Sequence, residues 1–189
     1  AGSAVAIGNG AGSSGQGTSA VAVGNGAGTT SQGSNTTAVG VGAGLTSQGA
    51  NCVAVGGTAG ATNQGINAVA VGFGAGNSGQ LDNGIAIGFN AGNSAQQNYA
   101  VAIGRTAGQT TQGNSAIAVG YLAGNSIQSS DAVAIGYQTG QFTQGQYGIA
   151  IGYQAGRNAQ LANTVAIGRS AGITNQGGDG VAIGRQSGN

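Results

Sequence analysis

The side chains that could do chemistry are few and far apart. Among 189 residues only Arg105, Arg157, Arg169, Arg185, Asp82, Asp131 and Asp179 carry charge, and His, Lys, Glu, Met, Trp and Pro are all missing. With no His and a single thiol, Cys52, the chain has neither a Ser-His or Cys-His nucleophile–base pair nor a His/Cys metal site. The three Asp lie at least 48 residues apart, too far along the chain for paired-carboxylate work to be expected. The run "GNGAGSSG" at Gly8 to Gly15 spaces glycines like a phosphate loop but lacks the following Lys-Ser/Thr. Calcium-binding nonapeptide coils need an Asp in each repeat, and acyltransferase solenoids use hexapeptide coils and usually a catalytic His. Neither pattern occurs here. The expectation is a non-enzyme with no cofactor.

Charge narrows the partners. A net charge of +1, without clustered Lys or Arg, argues against nucleic acid, which is held by neutralising phosphates. No apolar run approaches the roughly 20 residues of a membrane helix, so no membrane insertion is expected. Cys52 sits where only small residues recur, which suggests a small buried thiol.

The chemistry-poor residues are positioned by a repeat. Counting from Ala4, position five is Gly in twelve successive sixteen-residue units, from Gly8 to Gly184, without insertion or deletion. Position nine is also always Gly, from Gly12 to Gly188. Phrases such as "AVAIG" alternate small and β-branched residues at period two, the pattern of a strand. Two glycines four apart then mark a corner, and a polar segment closes on Gly with Asn, Ser or Asp, all turn formers. One such unit cannot bury its own apolar face, whereas stacked units can. The pattern predicts an all-β parallel β-solenoid, one domain over residues 1–189, with sixteen residues and two short strands per coil. About twelve coils at about 4.8 Å give a rod of roughly 55 Å.

Position three is Ala in every unit, from Ala6 to Ala182, and position one holds only Ala, Thr, Cys or Gly. Position four is always Ile or Val, and position two is Val or Ile except at Thr37. These pairs occupy opposite faces of the strand, and two assignments stand. In the favoured one, Val and Ile pack inside the coil and Ala faces something else. In the other, a very thin coil admits only Ala inside and leaves a Val/Ile stripe outside. Either leaves a packed face in need of a partner, and the economical partner is another copy of the chain.

Position thirteen is Gln in all eleven units that contain it: Gln16, Gln32, Gln48, Gln64, Gln80, Gln96, Gln112, Gln128, Gln144, Gln160 and Gln176. Stacked inward, they predict a structural amide ladder. Position six changes along the chain. After Asn, Asn, Val and Gly it becomes Phe73, Phe89, Arg105, Tyr121, Tyr137, Tyr153, Arg169 and Arg185. That stripe is a candidate binding surface for a glycan or another fibre, or a stacking ladder with cation–π contacts that stabilises the corner.

The phrase "SAVAIGNGAGSSGQGTSAVAVG" resembles the head repeats of trimeric autotransporter adhesins. "AIGYQAG", at Ala150 to Gly156, resembles repeats of phage and giant-virus tail-fibre or surface-fibre proteins. The likeness covers the whole chain through one simple motif. It implies a left-handed parallel β-roll, an obligate homotrimer and a role in adhesion. The adhesin repeat is shorter than the sixteen residues found here and lacks the Gln, a departure that favours the fibre-type relatives.

The functional expectation is therefore a structural and adhesive fibre segment at a cell or virion surface, extracellular. It would assemble with itself, attach to a host-surface glycan or protein, and belong to a longer fibre or stack end to end. The alternative is an ice-binding (antifreeze) β-solenoid, suggested by low charge and a Ser/Thr row at Ser14, Thr30, Thr46, Thr62 and Ser78.

Overall fold

The computed structural model describes residues 2–188, and they form a parallel β-solenoid. Strands on one side, from Val5–Ile7 to Val181–Ile183, build a single twelve-stranded sheet in unbroken sequence order. Each strand pairs with the next in exact sixteen-residue register: Val5 with Val21, Ala6 with Ala22, Ile7 with Val23. The opposite side carries a six-stranded sheet from Ser14–Gln16 to Ser94–Gln96. It continues as isolated bridges and as one two-stranded pair, Ile127–Gln128 with Thr143–Gln144.

Two glycines make the first corner. Position five has φ between 112 and 131°, a region closed to side chains. A Cβ on Gly40, for example, would lie 2.6 Å from the carbonyl oxygen of Gly56 in the next coil. Position nine is left-handed, as at Gly108 with φ 51°, where a Cβ would lie 2.6 Å from Gln112 Oε1. The glycine at position nine and the glutamine at position thirteen are thus a fitted pair. The second corner uses a left-handed residue at position sixteen, for which Asn, Asp and Ser serve well. Examples are Asn35, Asn51, Asn67 and Asp131, with φ of 56–59°.

The interior decides between the two assignments of the strand. Among the described residues every buried hydrophobic one is Ala except Cys52, and from Ala22 to Ala166 the position-three alanines are wholly inaccessible. Positions one and eight join them, as at Ala20, Ala68, Ala27 and Ala43. The favoured assignment, with Val and Ile inside, is overturned. These side chains lie outside, partly covered by the coils above and below; mid-rod, Ile87 and Ile103 are 38% and 37% exposed. The reason is thickness. A single Gln side chain crosses from one side of the coil to the backbone of the other, for example from Gln112 to the Val101 carbonyl at 2.8 Å. A gap that one glutamine bridges leaves room for methyl groups but not for a facing layer of Ile.

Candidate functional site

The glutamines are the largest side chains of the interior, and Gln80, Gln96, Gln112, Gln144 and Gln160 are wholly buried. Their principal bond runs across the coil. Nε2 donates to the carbonyl of position two, as in Gln96 to Ile85 at 2.8 Å and Gln128 to Ile117 at 2.8 Å. Most also donate to the carbonyl at position one of the next coil, as Gln80 does to Gly84 at 3.0 Å. Amide-to-amide bonds then link the coils in three runs: Gln48 to Gln64 to Gln80, Gln96 through Gln112 and Gln128 to Gln144, and Gln160 to Gln176. The first Oε1 of each run, on Gln48, Gln96 and Gln160, receives no hydrogen bond, and neither does that of Gln32. The arrangement ties the two sides of each coil together and, in runs, one coil to the next. Buried amides so engaged serve the structure and are closed to a ligand.

At position six the aromatic and arginine side chains form a continuous column. Phe73 and Phe89 stack at 5.7 Å between ring centroids. Arg105 lies over Phe89 at 5.8 Å on one side and over Tyr121 at 5.7 Å on the other. Tyr121 and Tyr137 stack at 5.1 Å, and Tyr137 and Tyr153 at 5.0 Å and 4° from parallel. Arg169 covers the far face of Tyr153 at 5.9 Å. In these two coils the strands lengthen to Val133–Tyr137 and Ile149–Tyr153, and Tyr137 pairs directly with Tyr153. The ring faces are occupied by one another and by guanidinium groups, so the column presents ring edges, phenol oxygens and Arg nitrogens to solvent. A sugar that stacks on an open aromatic face has no such face between Phe89 and Arg169. Arg157 stands apart at position ten, over Phe142 at 5.8 Å and bonded to Gln141 at 3.0 Å.

Two further ladders lie outside these residues. Asn35, Asn51 and Asn67 each donate to the next amide oxygen, on Asn51, Asn67 and Asn83, along the second corner at 3.1–3.3 Å. Asn77, Asn93 and Asn125 reach back to the carbonyls of Thr58, Gly74 and Thr106 in the preceding coil at 2.9–3.0 Å. The signal for the first was a recurrent Asn at position sixteen, which turn propensity alone also explains. The Ser/Thr row on the second side is partly spent as well: Thr46, Thr62 and Thr110 donate to carbonyls of the next coil at 2.8–3.3 Å.

Cys52 is buried, and its thiol donates to the Gly65 carbonyl at 2.6 Å. Burial pushes its pKa up, which keeps it a thiol and a poor nucleophile. Among the described residues no three His, Cys, Asp or Glu side chains gather. On the outer face of the twelve-stranded sheet the Val and Ile side chains, with Thr37 among them, stay partly or largely exposed from Val21 to Ile183. Comparison with protein-family models, curated proteins and solved structures returns no match. What the chain is therefore rests on its own geometry: it is a parallel β-solenoid repeat protein with coils of sixteen residues.

Proposed function

We propose that the chain is a structural and adhesive segment of an extracellular fibre, at a cell or virion surface, and that it assembles with itself through its Val/Ile face. The observation that carries this reading is the apolar strip on the twelve-stranded sheet, interrupted only by Thr37 among the described residues. At about 4.8 Å per strand it runs roughly 55 Å, and with positions two and four about 7 Å apart it covers several hundred Å², the size at which an apolar patch marks an interaction site. A second copy with the same strip is the complementary partner of simplest composition. A homotrimer is the state that the resemblance to adhesin head repeats supports. A stack of parallel strands held by short ladders, with no pocket among the described residues, suits a load-bearing rod better than a catalyst. The column from Phe73 to Arg185 is the surface proposed for contact with a host glycan or protein, through ring edges and guanidinium groups.

Native mass spectrometry tests the assembly. The expected species is three times the 17.6 kDa chain mass. A single-chain mass at micromolar concentration contradicts it. The ice-binding alternative draws less support, because two of its candidate hydroxyls, at Thr46 and Thr62, already donate within the fold. Thermal hysteresis from the purified chain would favour it nonetheless.

A further inference from the structure

Oxidation chemistry in this chain has very few outlets. There is no Met, Trp or His, and the one Cys is buried as a protonated thiol. The side chains that usually absorb oxidants are therefore missing or shielded. The exposed electron-rich side chains that remain are five tyrosines, and they fall into two sets. Tyr121, Tyr137 and Tyr153 occupy consecutive coils, stacked at 5.0–5.1 Å and 37–45% exposed. Tyr99 and Tyr147 lie on the other corner at position sixteen, 64% and 55% exposed. They are three coils apart, about 14 Å, with Asn83, Ser115, Asp131 and Asn163 on the coils that flank them.

We infer that the column Tyr121–Tyr137–Tyr153 is a site of oxidative covalent cross-linking, where a peroxide-driven one-electron oxidant joins neighbouring coils through dityrosine. Each of two phenols gives up one electron and one proton to become a phenoxyl radical. The radicals join through a new carbon–carbon bond between ring carbons ortho to the oxygens. The two ortho hydrogens then leave as protons while the phenol oxygens regain theirs, restoring both aromatic rings. Hydrogen peroxide, turned over by a haem peroxidase, takes up the two electrons and two protons and becomes two waters. The stack supplies proximity, which makes coupling intramolecular. Backbone pairing of Tyr137 with Tyr153 keeps those two residues abreast, and partial exposure lets each ring turn its edge towards its neighbour. Arg105 and Arg169 close the outer faces of the trio, so the nearest phenol to each ring is another member of the column. The product would staple a stack otherwise held by hydrogen bonds and small contacts, in keeping with a fibre exposed to an oxidising exterior. The inference itself rests on ring geometry and composition, and it stands whether or not the Val/Ile face assembles.

The test oxidises the full chain at high dilution with hydrogen peroxide and a haem peroxidase whose activity is verified on free tyrosine, and then maps links by tandem mass spectrometry. The expected products are intrachain links, two hydrogens lighter, joining Tyr137 to Tyr153 and Tyr121 to Tyr137, in a yield independent of protein concentration. Tyr137→Phe keeps a stacking ring in the column, as Phe73 and Phe89 do, and should lower intrachain dityrosine about tenfold by removing the shared neighbour. Tyr147→Phe should leave the yield unchanged. Links that involve chiefly Tyr99 or Tyr147, a yield that rises with concentration, an undiminished yield in Tyr137→Phe, or no dityrosine at all would each overturn the inference.

Discussion

The two sides of the coil differ by one unit, twelve against eleven, yet one is a continuous sheet of twelve strands and the other breaks into six strands, bridges and a pair. The difference traces to one residue per coil. On the continuous side all three strand residues are extended, and Ala or Val/Ile repeats with little change. On the broken side, position twelve is left-handed at Ser31, Ser47, Asn63 and Ala95, with φ of 52–56°. There the ladder pairs positions eleven and thirteen and skips the residue between, as in Thr30 with Thr46 and Gln32 with Gln48. At Thr111, Ile127 and Thr143 the backbone is not left-handed, and Ile127 pairs directly with Thr143. Ile127 and Thr143 then lie in strands and Thr111 does not; a β-branched side chain is uncommon at positive φ, although Thr58 and Thr106 adopt it at position seven. Position twelve is free to vary because its side chain leaves the coil. Positions three, nine and thirteen are fixed because theirs, or the lack of one, fills a gap one glutamine wide.

The largest expected effect lies on the continuous side. Ala102→Glu forces a carboxylate into a layer of methyl groups, with no partner and no space, and should abolish the cooperative melting transition. An ionised group stranded there costs many kcal/mol. Circular dichroism on heating checks this, and a folded variant with an unchanged melting temperature would break the comparison at its base.

On the broken side the glutamine is the only position expected to matter comparably. Gln128 donates to Ile117, Ala132 and Gln144 and accepts from Gln112. Gln128→Leu removes the bond across the coil and strands the buried Gln144 Oε1, while the Ala132 carbonyl keeps the Ile117 N–H and Gln112 keeps Val101 and Ala116; the cost should be about 1–3 kcal/mol, or roughly 2–12 °C in melting temperature. Gln32→Leu should cost less, since the Gln32 Oε1 has no partner to lose.

The position-twelve contrast yields a paired test. Ser47→Ile places a β-branched residue at φ 54° and should cost about 1–2 kcal/mol. Thr111→Ile, at a site that is not left-handed, should be close to neutral. Equal costs in denaturant titrations would mean that the side chain does not set the backbone at this position. The smallest effect is expected from Ile103→Val on the outer face. It removes one methylene from a partly exposed side chain and should change single-chain stability by under about 0.5 kcal/mol.

Much of this was legible in the sequence, for identifiable reasons. An exact sixteen-residue period fixes in-register stacking, and alternation in "AVAIG" fixes a strand. The choice of inner face was not legible, because small and branched residues alternate identically whichever set points inward. Coil thickness decides it, and that emerges only when Gln112 is seen to reach the Val101 carbonyl. The break in the second sheet is written in Thr111, Ile127 and Thr143, but only once position twelve is known to be left-handed elsewhere. The Asn ladder from Asn35 to Asn83 was hidden because Asn is favoured in a turn whether or not its amide bonds to the next coil.

The account's central claim is that alanine and glutamine make the inside of the coil and that valine and isoleucine make its outside. Nuclear Overhauser contacts from the side-chain amide protons of Gln112 test it most directly, because they report the interior irrespective of assembly. The structure predicts contacts to the Ala102 methyl, which faces the same Gly108 site as Gln112 Oε1, and slow exchange of those amide protons with solvent. Contacts instead to the methyl groups of Val101 and Ile103, with the Ala102 methyl remote, would contradict it.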